Sequence, residues 1–241
     1  MQAHELLARD LARRGPVSDR DRAALAALPS RPVRIGPATR LIEAGPAPDE
    51  SCLLVRGMTM RQHRIPGRRP VVSAIQVTGE FLDLHAALLH HLDHDVTTIG
   101  PAEVEFVPAE ALRALTESHP TLARHLWLAT LIDAKIHRVW IAVRSALPAA
   151  RRTGHFFCEL RARISTGTGP APEAFDVPFD QRTLAEILGY SAVHMNRAIR
   201  DLREEGLLTW QNGRIHLPDP DRLARICGFD PAYLELGDLP A

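Results

Sequence analysis

The stretch Val177–Leu217, VPFDQRTLAEILGYSAVHMNRAIRDLREEGLLTWQNGRIHL, restricts what this chain can fold into more than any other. Asp180 has the side chain of an N-cap, able to accept the unpaired amides of a first helical turn. Leu184, Ile187 and Leu188 recur at helical spacing and predict a short amphipathic helix over Gln181–Leu188. Gly189 stops it, because glycine tolerates the positive φ of a tight turn between helices. Ser191 caps a second helix whose buried stripe is Val193 or Met195, then Ile199 and Leu202. Gly206 ends that helix, and Leu207–Trp210 with Arg214–Leu217 read as strands around Asn212-Gly213, a strong hairpin-turn dipeptide. Two short helices across a glycine turn, followed at once by a hairpin, make the pattern of a winged helix-turn-helix.

Within it, LAEILGYSAVHMNRAIRDLREEGLL resembles the DNA-binding end of the Crp/Fnr transcription regulators, whose common wording is "LA..LGLS..HVNR.L..LR.EGL". The serine cap, the Asn-Arg pair on the second helix and the wing arrive together, which an arbitrary helical pair does not explain. The net charge of the whole chain is zero. Five arginines (Arg182, Arg197, Arg200, Arg203, Arg214) stand against six acids between Asp176 and Leu217. The segment is therefore not basic overall, which counts against nucleic acid on the crude criterion. Asp201, Glu204 and Glu205 fall towards the far end of the second helix, leaving the arginines free to share a face.

Upstream, His4–Arg14 and Asp19–Leu28 read as helices, the second capped by Ser18. From Pro32 the period changes to short strand-like runs: Val33–Ile35, Thr39–Ile42, Cys52–Val55, Thr59–Ile65, Val71–Val77, Val96–Ile99 and Glu103–Val107. Gly and Pro punctuate them, the pattern of an antiparallel barrel or roll. Phe81–His90 is the one helical insert. LIEAGPAPDESCLLVRGMTMRQH is similar to the cyclic-nucleotide-binding β-roll of the same family. GEFLDLHAALLHHLDHDVTTIGPAEV and the terminal GFDPAYLEL resemble one of its branches. The fold class expected is α+β: an N-terminal antiparallel β-roll (cyclic-nucleotide-binding-like), a long dimerisation helix and a C-terminal winged helix-turn-helix. The expected divisions are 1–118, 119–147 and 148–241. After a short helix from Val107-Pro108 to about Glu117, His119–Ser145 is a long helical pattern. Its stripe of Leu126, Ala129, Ile132, Ile136, Val139, Trp140 and Val143 outruns the need of one small core. The resemblance makes it the seam with a second copy, and a plain core helix is the alternative. Pro148 opens a further helix to Ile164, and Ser165–Pro172, STGTGPAP, reads as a flexible connector.

Hydrophobic content is 45%, without an apolar run near the ~18 residues a membrane span needs. The charged N-terminus lacks the features of a secretory signal, so a cytoplasmic location is expected. Cys52, Cys158 and Cys227 are too far apart in sequence to suggest a disulfide framework or a zinc site. They also lack the clustered N-terminal cysteines of the family's iron–sulfur branch. G-x-S-x-G, H-E-x-x-H and P-loop patterns are missing as well, and catalysis is not expected.

By family position Arg197 matches the arginine that reads guanine, and its planar fork suits O6 and N7. Asn196 suits adenine, Val193 or Ala192 a thymine methyl, and His194 either a base, a phosphate or solvent. Ser191 begins this helix, while Arg182, Thr183 and Arg200 are candidate phosphate clamps. The family's best-known member carries arginine and glutamate where Ala192 and Val193 stand, so its operator is not carried over. In the β-roll, the ribose-binding acid of cyclic-AMP binders falls on Leu84. The phosphate-binding arginine falls on or near His94, followed by the anion Asp95. Cyclic AMP is not expected in the usual mode. Glu80, Asp83, His85, His94 and Asp95 are the candidate effector pocket, binding a non-phosphate ligand or tied up in mutual hydrogen bonds. No metal ligands are assigned. The histidines at 85, 90, 91 and 94 leave haem or a metal ion open, but no motif requires either. Implied partners are double-stranded DNA with an inverted repeat, a second copy of the chain and RNA polymerase; a haem- or metal-binding sensor acting through protein contacts is the alternative.

Overall fold

The computed structural model describes residues 2–164 and 171–237; most of the expected connector Ser165–Pro172 lies outside them. Helices α1 (Ala3–Ala12) and α2 (Asp19–Ala26) open the chain. α2 starts on a capping box in which Ser18 accepts from the Asp21 amide and Asp21 reaches back to Ser18. Strands β1 (Arg31–Ile35), β2 (Arg40–Ile42), β3 (Gly45–Pro46), β4 (Glu50–Arg56), β5 (Met58–His63), β6 (Val71–Val77), β7 (His91–Leu92), β8 (Asp95–Thr98) and β9 (Ala102–Pro108) follow. They pair antiparallel as β1-β9-β4, β2-β8-β5-β6 and β3-β7. The apolar side chains of the roll, among them Leu54, Leu82, Leu92, Val96 and Val104, fill its interior.

The segment expected as a helix over Phe81–His90 is instead a bridge and a single 3₁₀ turn. Phe81 pairs with Leu53, and the Leu82 amide donates to the Cys52 carbonyl, so the chain is held as an extra strand at that point. Only Leu84–Ala87 winds, and His91–Leu92 leaves as β7.

α3 (Ala109–Ser118) and the long α4 (Pro120–Ala146) come next, then α5 (Ala149–Ile164). Beyond 170 lie β10 (Ala174–Asp176), α6 (Gln181–Leu188), α7 (Ala192–Glu204), β11 (Thr209–Gln211), β12 (Arg214–His216) and α8 (Pro220–Cys227). The C-terminal sheet has the order β10-β12-β11.

One buried cluster runs from Met58, Val72, Ile75 and Val77 of the roll through Ile132, Ile136 and Trp140 of α4. It continues through Phe156, Phe157 and Leu160 of α5 into Leu184, Ile187, Ile199 and Leu202. This corrects the expected seam of α4. Leu126, Ile132, Ile136 and Trp140 are buried against their own chain, and Ala129, Val139 and Val143 are half-buried. The face α4 leaves open carries Trp127, Leu131, Arg138 and Ile141, with half-buried Ala134 among them, at alternating steps of four and three. Trp127 and Ile141 are 66% and 67% exposed. Among the described residues no helix is long and apolar enough to cross a membrane.

Candidate nucleic-acid interface and sensor cavity

Local chemistry positions α6 and α7. The Asp180 carboxylate accepts from the Thr183 amide at 2.8 Å, and that bond holds its pKa below the ordinary range. Gly189 takes the left-handed conformation at φ 71°, so its own amide and that of Tyr190 close the end of α6. Ser191 Oγ accepts the His194 amide at 3.3 Å and lies 3.0 Å from His194 Nδ1, fixing the imidazole over the cap. Met195, Ala198, Ile199 and Leu202 are buried, which turns Ala192, Val193, His194, Asn196, Arg197 and Arg200 outward. Met195, not Val193, begins the buried stripe. Arg197 has no intrachain ion pair among the described residues. Arg182 is exposed at the start of α6, with Thr183 half-buried beside it. Glu205 pairs with Arg151 at 2.8 Å, but Asp176 answers Arg214 at 3.2 Å and Glu204 lies 3.9 Å from Arg200, so the acids do not leave every arginine free. The wing turns at Asn212 (φ 50°) and Gly213 (φ 76°), and Arg203 donates to the Trp210 carbonyl at 2.8 Å, tying it to α7.

The five residues expected to form an effector pocket do not converge. Glu80 and His85 line a small cavity of about 60 Å³ with Arg14, Arg61, Gln76, Asp133 and Arg163. Glu80 accepts from Arg163 Nη2 at 2.8 Å. Asp83 lies elsewhere, 1% exposed, with Oδ1 accepting the Cys52 amide at 2.7 Å; burial pushes its pKa up to about 7. Asp95 accepts from Arg64 at 2.6 Å and from the Ala44 amide at 2.9 Å, so a cation already answers it. His94 is 3% exposed, with Nδ1 2.7 Å from Asp93 and its ring 5.3 Å from that of His85. Burial first, then the nearby Arg61, lowers the pKa of both imidazoles, His85 to about 4. Among the described residues no group of three His, Cys, Asp or Glu is placed to hold a metal ion. Residues adjacent in sequence alternate across the strand β8 and its approach, which separates His94 from Asp95.

Sequence reasoning missed the residues that fix α6 to the rest of the chain. Arg144 of α4 donates to the Val72 carbonyl of β6 at 2.7 Å and to the Ile187 carbonyl of α6 at 3.2 Å. Arg152 of α5 donates to the Leu188 carbonyl at 3.0 Å and lies 3.9 Å over the Tyr190 ring. Both satisfy carbonyls that the end of a helix leaves unpaired. Below them Arg163 spans Glu159, Glu80 and the Ile75 carbonyl, and Glu159 also accepts from Trp140 and Tyr233. No local pattern announces such contacts, since each joins segments distant in sequence.

Residues 151–226 match the family described as the Crp-like helix-turn-helix domain. A search of curated proteins gives no match. Among solved structures, FixK2 from Bradyrhizobium japonicum is similar with a TM-score of 0.73 at 18% identity, over 83% of this chain and 98% of that one. A putative cAMP-binding regulatory protein from Silicibacter pomeroyi is similar at 0.62 and 18%, over 94% and 99%. A CooA mutant from Carboxydothermus hydrogenoformans is similar at 0.63 and 15%, over 82% and 88%. Residues 151–226 thus carry a Crp-like helix-turn-helix domain, and the chain as a whole shares the fold of these solved structures.

Proposed function

We propose that this chain is a sequence-specific DNA-binding regulator that acts as a homodimer and does not take cyclic AMP as its signal. The observation that carries the reading is the outward face of α7. Its buried stripe leaves Asn196, Arg197 and Arg200 in solvent beside a capped N-terminus, the arrangement a recognition helix needs to enter the major groove. Arg197 reads guanine, and Arg182 with Arg200 clamps phosphates. Residues 1–118 serve as sensor, 119–147 as the dimer helix and 148–241 as the DNA-binding part.

The second copy packs on Trp127, Leu131 and Ile141, the exposed apolar side chains of α4, with half-buried Ala134 between them. Beside it an apolar groove of about 550 Å³, lined by Leu88, Leu89, Leu112 and Trp127, extends the same surface. A two-fold dimer reads an inverted repeat with half-sites about 34 Å apart. Cyclic AMP is disfavoured because the cavity between roll and α4 is small and its charges are already paired, Arg61 with Asp133 at 2.8 Å and Arg163 with Glu80. The structural neighbour described as putatively cAMP-binding shares the fold at 18% identity. Fluorescence anisotropy against duplexes enriched from a random pool tests the main reading. Binding that survives excess nonspecific competitor supports it, and binding no tighter than competitor overturns it. Calorimetry with cyclic AMP tests the sensor: no heat at micromolar ligand is expected, and saturable micromolar binding refutes that part.

A further inference from the structure

Among the described residues of the C-terminal part, 171–237, one large apolar side chain stands out in solvent: Val193, 78% exposed. The others lie on the open face of α4, around the 3₁₀ turn after β6, or near the β5–β6 connection. Folding gives no reason for a valine there. It is β-branched, which lowers helix propensity, and it covers no core. It stands in the first turn of α7, four residues before Arg197, so the two side chains share a face one helical turn apart. Ala192 beside it is also exposed but is a single methyl with less reach.

Resting on the DNA-binding reading above, we infer that Val193 is a specificity-determining residue that reads the C5-methyl group of thymine. In the major groove each base edge offers hydrogen-bond donors and acceptors, and thymine alone adds an apolar group. A valine makes no hydrogen bond, so against the amino group of cytosine or adenine it leaves a polar group unpaired. Against thymine it buries one methyl group. Four residues of helix advance about 6 Å, at ~1.5 Å each. Base pairs rise about 3.4 Å, so the thymine lies within two base pairs of the guanine read by Arg197. Burial of one methyl group is worth about a fourfold change in affinity at each half-site.

The test uses the full-length protein and a duplex enriched from a random pool. Each thymine within two base pairs of the essential guanine is replaced by deoxyuridine, which removes the methyl group and leaves every hydrogen-bonding group in place. Wild type is expected to lose about fourfold per half-site at one position and to regain it with 5-methylcytosine, paired with guanine, against unmethylated cytosine there. Val193→Ala is expected to bind thymine and uracil duplexes alike while keeping its dependence on the guanine. Wild-type affinity indifferent to uracil at every position, with Arg197→Ala still relaxing preference at the guanine, overturns the role of Val193 alone. Failure of the pool to yield any preferred duplex overturns both this inference and the DNA-binding reading beneath it.

Discussion

Replacing Asp83 with asparagine should make the protein more stable near neutral pH and change the pH dependence of its folding. Asp83 is almost wholly buried, with Oδ1 accepting the Cys52 amide and Oδ2 without a partner among the described residues. Burial raises its pKa to about 7, against the opposing pull of the Cys52 amide and Arg61. The folded chain therefore keeps a proton that the unfolded chain releases near the ordinary 3.8. Stability from this group is complete below that value, falls as pH rises, and is lost above about pH 7. The interval corresponds to roughly 4 kcal/mol at ~1.4 kcal/mol per pH unit. His85 works in the other direction: burial lowers it to about 4, so its contribution is present above its ordinary 6.5 and is lost as pH falls towards 4. The two slopes oppose each other in the wild type, whose own pH profile is therefore not diagnostic.

The difference between wild type and Asp83→Asn isolates the carboxyl. Asparagine keeps an acceptor for the Cys52 amide and adds an NH₂ where Oδ2 stands, at a pH-independent cost of about 1–3 kcal/mol. Urea unfolding followed by tryptophan fluorescence, at fixed protein concentration from pH 4 to pH 8, measures the gap. The variant should gain about 4 kcal/mol on the wild type across that range. A gap that stays constant with pH would refute the reasoning, because Asp83 would then be ionised in the folded chain.

Other substitutions separate the remaining roles. Arg197→Ala should weaken specific binding by about 1–3 kcal/mol and relax preference at one symmetric base pair, whereas Arg182→Ala should weaken all duplexes alike and lower the salt slope by about one. Competition titrations at several salt concentrations distinguish them. Ile141→Asp should give folded monomers in sedimentation, because Ile141 is open in the single chain. Ile136→Asp should instead unfold the chain by about 3–5 kcal/mol, since Ile136 is 5% exposed within it and a charge there has no partner. Arg144→Ala should raise hydrogen exchange at the end of α6 by an amount matching about 1–3 kcal/mol, the value of the bonds to Val72 and Ile187; unchanged protection would remove Arg144 from that role.

The helix-turn-helix was legible because its determinants are local. Asp180, Gly189, Ser191 and the Asn212-Gly213 turn each act within a few residues, and tertiary contacts only reinforce them. The strand Val71–Val77 falls where alternation puts it. Phe81–His90 was misread because hydrogen bonds from a distant strand, through Cys52, outweigh the helical spacing of its leucines. The stripe on α4 shows a different limit. Periodicity reveals that a helix buries one face, but not whether the roll, α5 or a second chain covers it. Here the roll and α5 cover the face of Ile132, Ile136 and Trp140. The candidate pocket residues are spread apart for a third reason, that nearness in sequence is not nearness in space: Glu80 faces Arg163 while Asp95 faces Arg64.

The end of α6 is tied to β6, the edge strand of the sheet β2-β8-β5-β6. An edge strand leaves backbone groups without ladder partners, and arginines answer two of its carbonyls. Arg144 takes Val72 and Arg163 takes Ile75. The same Arg144 holds the Ile187 carbonyl of α6, and the same strand carries Gln76 into the cavity lined by Glu80 and His85. One guanidinium thus joins roll, α4 and helix-turn-helix within a single chain. Both bonds leave one nitrogen, Nη2, so moving α6 against β6 by an ångström or so breaks one of them and leaves a carbonyl unpaired, at about 1–3 kcal/mol. Couplings between allosteric sites typically amount to about 1–3 kcal/mol in total. We propose that this contact couples the roll to the helix-turn-helix: losing one bond at Arg144 matches the size of such a coupling, and a ligand that prefers one position of β6 would shift α6 with it.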